Sequence, residues 1–265
     1  MKYYSIPPPA ILADYVRHFW VLEGDIKQGD AYIHRCMADG CPDLLFHYKG
    51  QSDKLGASDE AQSCFTSGMQ GQSHQYKRFI FDDDFGMFGV YFYPHAIPRL
   101  FSIPADVVAN QMPDLSSLLG QVAAGLEERI MLAKDNNERA AIVSGFLAKQ
   151  LPNIKDKNPG IADTINFVIQ TNGVYDIDKL ARRNFLSVRQ FERNFKAMCG
   201  YSPKLFSRIV RFRATLDMKR HDEQSLTDIA YDCGYYDQSH FIHEFKEFSG
   251  YHPMQYFTGK AEGLM

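Results

Sequence analysis

Apolar residues follow two different rhythms along this 265-residue chain. Over residues 1–112 they come in short aromatic and β-branched runs. "FGMFGVYFY" (85–93) stops at Pro94, and "CPDLLFHY" (41–48) follows Gly40. "DYVRHFWVLEGD" (14–25) closes on Gly-Asp. Runs of this length, bounded by turn residues, predict strands. Polar Ser/Gln/Gly loops at 50–64 and 68–76 separate them. From 115 the rhythm becomes helical: "LSSLLGQVAAGLEERIMLAKDNNERAAIVSGFLAKQL" repeats its apolar positions every three or four residues and breaks near Asp135-Asn136-Asn137. "PNIKDKNPG" (152–160) is a polar Pro/Gly stretch, and everything beyond it reads as helix. The expected fold class is therefore α+β. A mainly β, small barrel-like domain (1–112) precedes a helical linker (113–157) that would mediate dimerisation or pass a signal. An all-α domain (158–260) follows.

An internal repeat dominates the last part. "FERNFKAMCGYSP" (191–203) and "FIHEFKEFSGYHP" (241–253) share F-x-x-x-F-K-x-x-x-G-Y-x-P, with the Gly and Pro in register. Upstream, Leu180-Ala181 matches Ile229-Ala230 with an offset one residue smaller, so the second copy has one extra residue in its turn. Each copy reads as a short helix, a tight turn and a longer helix. In the first, a helix starts near Asp176, Ser187 caps the next, and Gly200 ends it; Pro203 opens a long helix toward Arg220. The two motifs span about 176–199 and 226–249, a helix-turn-helix plan whose second helices (188–198 and 238–248) would enter the DNA major groove.

On a helical wheel, Phe241, Phe245 and Phe248 cluster within about 60° as a core stripe. Opposite them lie Ser239, His243 and Lys246. Ile242 takes one flank, and His240 and Glu244 the other. The outward positions of the first copy are Arg189, Arg193 and Lys196, three cations backed by Phe191 and Phe195. Arg can pair with guanine O6 and N7, and Lys can meet phosphate. His240, His243 and Glu244 also admit a metal reading, or a plainly solvated face. Their spacing lacks the two histidines a full turn apart of the H-E-x-x-H motif.

Net charge is −3 overall, which argues against a generic polyanion binder, but it is unevenly spread. Residues 1–160 are at −4. Residues 179–220 hold 12 Lys and Arg against 2 acids, and residues 221–260 hold 2 against 7. A block at +10 is the footprint expected of a phosphate-binding surface, although a solvated basic face would look the same. Five scattered cysteines (Cys36, Cys41, Cys64, Cys199, Cys233) fit reduced thiols. No apolar run approaches the ~18 residues of a membrane span, and the N-terminus is not a signal peptide. A cytoplasmic, non-membrane protein is the expectation.

The residues "LARRNFLSVRQFERNFKAMCGYSPKLFSRIVRFRATLDMKR" and "SLTDIAYDCGYYDQSHFIHEFKEFSGYHPMQYF" resemble the DNA-binding domain of the AraC/XylS family of transcription regulators. "ADGCPDLLFHY" and "GVYFYPHAIPRLFSIPADVVANQ" are similar to a cupin-like sensor domain of unknown ligand found ahead of that module in part of the family. The resemblance implies base-edge contacts at Arg189, Glu192 and Arg193 in the first motif, and around Gln238, Ser239 and His243 in the second. Lys196, His240 and Lys246 complete the DNA-binding set. It implies double-stranded DNA as partner, RNA polymerase, a small effector and a second copy of the chain as further ones, and no catalytic residue, metal or cofactor. Two departures stand out. His243 occupies a position where a stronger donor is usual, and the second motif is acidic. The first motif is therefore expected to supply most of the affinity.

The front domain leaves alternatives open. Trp20, Tyr91 and Tyr93 line an effector pocket or simply pack a core. His34, Cys36 and Cys41 could hold a metal or carry reactive sulfur. The "FDDDF" run (81–85) reads as a hairpin turn or a cation site. The rival reading is an enzyme or DNA-repair protein with a metal- or cysteine-based front domain attached to the same DNA module.

Overall fold

The computed structural model describes residues 1–56, 58–154, 159–218 and 225–259. Its front half holds two antiparallel sheets. The first orders its strands β1 (Lys2–Ile6), β2 (Val16–Gly24), β9 (Phe85–Phe92), β4 (Asp43–Lys49) and β7 (Ser67–Gln70). The second orders β3 (Tyr32–Cys36), β8 (Lys77–Phe81), β5 (Asp53–Leu55) and β6 (Ala61–Ser63). All three strands anticipated from the apolar runs form.

Alternation along β2 explains the layering. Phe19 and Val21 point to one face, while Trp20 and Leu22 point to the other. The second face meets the smaller sheet, where Leu22, Leu45 and Met87 pack with Phe79 and Phe81. The first face is covered by helices α1 (Ala96–Phe101), α2 (Ala105–Val108), α3 (Leu115–Leu119), α4 (Val122–Leu132) and α5 (Asn136–Ala148). A sheet buried on both sides needs apolar residues at consecutive positions, which is why "FGMFGVYFY" shows no clean alternation.

Two expectations change. The stretch read as a helical linker is a layer of the front domain: Leu126, Ile130, Val143 and Leu147 share one core with Phe19, Phe46 and Phe88. Its Ala/Leu stripe had to be buried somewhere, and the open sheet face was available. Asp82–Asp84 are not a hairpin turn, because β8 pairs with β3 and β5 while β9 belongs to the other sheet. The acids cross between sheets, with the Phe81 and Phe85 rings stacked at 3.9 Å. Asp84 there accepts from the Ile26 backbone at 2.9 Å and from Lys49 at 3.0 Å.

The back half is helical: α6 (Pro159–Gln170), α7 (Ile177–Arg183), α8 (Val188–Cys199), α9 (Pro203–Asp217), α10 (Leu226–Asp232), α11 (Gln238–Ser249) and α12 (Pro253–Phe257). Pro203 occupies the first turn of α9, and Ser202 caps it by accepting from Leu205 N. The 15-residue α9 is about 22 Å long and runs through the core that both motifs share. Its Phe206 packs against Phe195 of the first motif, and its Phe212 against Phe245 and Phe248 of the second. The helix, expected to run toward Arg220, stops at Asp217 with Met218 as its extended C-cap, and residues 219 and 220 lie outside the described residues.

The two halves are docked through the repeat. Tyr201 donates its hydroxyl to the Gln72 carbonyl and lies 3.1 Å from Asn110 Oδ1, and Gln72 Nε2 donates to the Cys199 carbonyl at 3.0 Å. In the second copy, the Arg35 guanidinium stacks 3.9 Å over the Tyr251 ring, and Ala38 N donates to the Phe248 carbonyl at 2.9 Å. Each tyrosine of the G-Y-x-P repeat thus grips the front domain. The glycine before it has two reasons to be glycine. Gly250 has φ 75°, and a Cβ there would stand 2.7 Å from both Arg35 and Tyr76.

Candidate nucleic-acid interface

Local rules place the two longer helices. Ser187 forms a capping box with Gln190 at the start of α8, and Gly200 ends the helix at φ 90°. Asp237 caps α11 by accepting from His240 N at 2.7 Å, and Gly250 ends it. Phe191 and Phe195 are fully buried in the first motif, Phe241 and Phe245 in the second. With these stripes turned inward, Arg189, Glu192, Arg193 and Lys196 stand exposed along α8. Gln238, Ser239, His243 and Lys246 stand exposed along α11, and His243 occupies the position of Arg193. The extra residue of the second copy lies where the repeat predicts it, between α10 and α11. The turns differ in chemistry: Phe185 takes φ 56° in the first, where Gly234 takes φ 73° in the second.

His240 and Glu244 pair on the flank where the wheel puts them, with Glu244 turned into the core. Glu244 is 2% exposed and accepts from Arg208 Nε of α9 at 2.6 Å. Arg208 also reaches Glu247 at 2.6 Å and lies over the Phe248 ring at 5.1 Å. The His240 ring sits 3.1 Å from the same Glu244 oxygen and edge-on to Tyr235. It serves as the outer end of an internal network and only partly faces outward. Arg211 meanwhile lies over Tyr235 at 5.1 Å and donates to the Gly234 carbonyl at 3.2 Å. Two cations of the basic block therefore clamp the second motif to α9. Nothing in helical spacing announces this, because it depends on which element packs behind α11. The i, i+4 pairing of His240 with Glu244 was the one local signal.

Front-domain candidates separate cleanly. A cavity of about 330 Å³ opens between the two sheets and is closed by α9 and α12; Trp20 and Tyr91 line it, with His34, Cys36, Asp39 and Asp43. Tyr93 is not in its wall and stacks on His95 instead. Burial pushes the Cys36 and Cys41 thiols up to about 12, so neither presents a thiolate near neutral pH. Among the described residues, no three His, Cys, Asp or Glu side chains come together as a metal-holding group. No helix among them is long and apolar enough to cross a membrane.

Two family models match the chain. Residues 4–114 match a domain of unknown function, and residues 180–259 match a helix-turn-helix domain. The HTH-type transcriptional activator RhaS of Escherichia coli is 32% identical over 83 residues, 31% of this chain and 30% of that protein. The C-terminal module is an AraC-type helix-turn-helix domain. The chain spans about 30% of the length of the curated relatives it matches. Among solved structures, ToxT of Vibrio cholerae is similar over 91% of this chain and 97% of that one, at 14% identity and a TM-score of 0.47. The DNA-binding domain of AdpA, in complex with a target DNA, covers 38% of this chain and 91% of its own, at 21% identity and a TM-score of 0.35.

Proposed function

We propose that this chain is a cytoplasmic transcription regulator that binds specific double-stranded DNA through both helix-turn-helix motifs. Its α8 and α11 would lie in successive major-groove segments. The observation that carries this reading is the paired exposure of Arg189, Arg193 and Lys196 on α8, and of Gln238, Ser239, His243 and Lys246 on α11, over aromatic stripes that are wholly buried. Arg193 is assigned to a base edge and Lys196 to phosphate. Glu192 would accept from a base amino group. His240 contributes at the margin, since its ring is shared with Glu244. The front domain, residues 1–157 including the layer α3 to α5, would receive a small effector in its cavity and pass the signal through the docked tyrosines. RNA polymerase and a second copy of the chain are the further partners of this reading, and no catalytic step belongs to it.

Footprinting of the intact chain on its own promoter region tests the proposal. Two protected major-groove segments on one face of the duplex are expected, with affinity falling steeply as salt rises. Affinity that ignores salt, or protection that ignores sequence, would remove it.

A further inference from the structure

The cavity between the sheets has an unusual wall. One side is apolar and aromatic, built from Trp20, Leu45, Phe79 and Met87. At the end nearest the back half stand two carboxylates, Asp39 and Asp43, facing Arg213 of α9. Asp39 is well provided with donors, since it accepts from Cys41 N at 3.0 Å and from the Tyr91 hydroxyl at 2.9 Å. Asp43 accepts from the indole Nε1 of Trp20 at 2.9 Å. Gly89 lets that indole lie flat against β9: a Cβ there would stand 2.0 Å from the ring.

Arg17 of the front domain and Arg213 of α9 both act on Asp39, whereas the cation acting on Asp43 is Arg213. Burial and the neighbouring Asp39 push the Asp43 carboxyl well above the usual carboxylate range, while Trp20 and Arg213 pull it down. Burial lowers His34 to about 4 and raises Cys36 to about 12, so neither adds charge near neutral pH. The positive charge acting on Asp43 comes from the helix that joins the two DNA-reading motifs. Carboxylates at one end of a largely apolar chamber lined with aromatic rings form a recognition site for a cation. The volume, about 330 Å³, is that of roughly eleven waters, enough for a ring with a short tail.

Building on the reading of the front domain as an effector domain, we propose that the cavity binds a small organic cation, an ammonium or guanidinium on an apolar body. Its charged head takes the place of Arg213 at Asp39 and Asp43. Arg213 is then the internal stand-in for the ligand, and its displacement loosens α9 from the front domain. The effector acts on the element that sets the relation between the two motifs.

Calorimetry on the full chain tests this with three matched probes: 4-phenylbutylamine, 4-phenylbutanol and 4-phenylbutanoate. The amine should bind, with the alcohol about tenfold weaker or more and the carboxylate not measurable. Asp43→Asn should weaken the amine about tenfold. Arg213→Gln should tighten it several-fold, a gain that a merely damaged fold cannot produce; circular dichroism confirms folding of both variants. Equal binding of alcohol and amine, preference for the carboxylate, no amine binding at about 10 mM, or an unchanged affinity in Arg213→Gln would each overturn the proposal. DNA binding is followed separately by fluorescence anisotropy without any amine. If it holds while the amine arm fails, only the ligand class is wrong; if it fails while the amine binds, the proposed regulator is wrong and the site stands.

Discussion

The two helix-turn-helix motifs come from one repeat but carry their charge differently. By sequence, the first sits in a block at +10 and the second in a block at −5. In the structure this contrast shrinks. Arg208 and Arg211, counted with the first block, reach into the second motif, and Glu244 and Glu247 spend their charge on Arg208. Asp228 closes a capping box with Ser225, and Asp237 caps α11. The net charge of a segment is a poor guide to the charge of its face when a neighbouring helix crosses behind it. The remaining difference lies in the exposed residues, with two arginines and a lysine on α8 against His243 and Lys246 on α11.

That comparison can be broken first at its clamp. Arg208→Met leaves the buried Glu244 with only the His240 ring beside it and should cost about 3 kcal/mol of folding stability, read by urea denaturation. The double variant with Glu244→Leu should recover most of it. A single variant as stable as the parent would show that the pair is dispensable. Next come the reading faces. Arg193→Ala should weaken DNA binding by about 1–3 kcal/mol, and His243→Ala by less than about 1 kcal/mol. Anisotropy titrations in which His243→Ala is the worse variant would reverse the ranking of the motifs. The caps sharpen the likeness instead: Ser187→Ala and Asp237→Ala should each cost about 1 kcal/mol. Thermal unfolding that spares one of them would show that the two helices are held differently. Smallest is the turn. Phe185 is 96% exposed with φ 56°, so Phe185→Gly, the residue of the second turn, should stabilise by about 0.5–1 kcal/mol. A loss of stability would mean the ring makes a contact worth more than its strain.

What could be read from the chain was whatever is settled within one helical turn or one strand. Ser187 and Gly200 bracket α8, Pro203 starts α9, and the phenylalanine stripes fix which side of α8 and α11 is buried. The helical, two-motif layout of the back half follows from these. The destinations of Arg208, Arg211 and Arg213 depend instead on what lies across from α9, and sequence spacing carries no record of that. The same holds for Asp39 and Asp43, four residues apart across a turn and a strand start, which only the packing of the back half turns into one end of a cavity. The apolar stripe of 115–151 announced a buried helix face, yet not that the partner would be the open side of a β-sheet.

Tyr201 and Tyr251 tie the ends of α8 and α11 to two points of the front domain. A pair mounted this way measures distance and phase together. One base pair inserted between two half-sites shifts the second by about 3.4 Å along the duplex and about 34° around it. A hinged reader follows such a change with little loss, whereas a mounted one must give up one contact or let go of its mount. On the proposed reading, the docked tyrosines would make the length of the promoter spacer a quantity that the front domain adjusts.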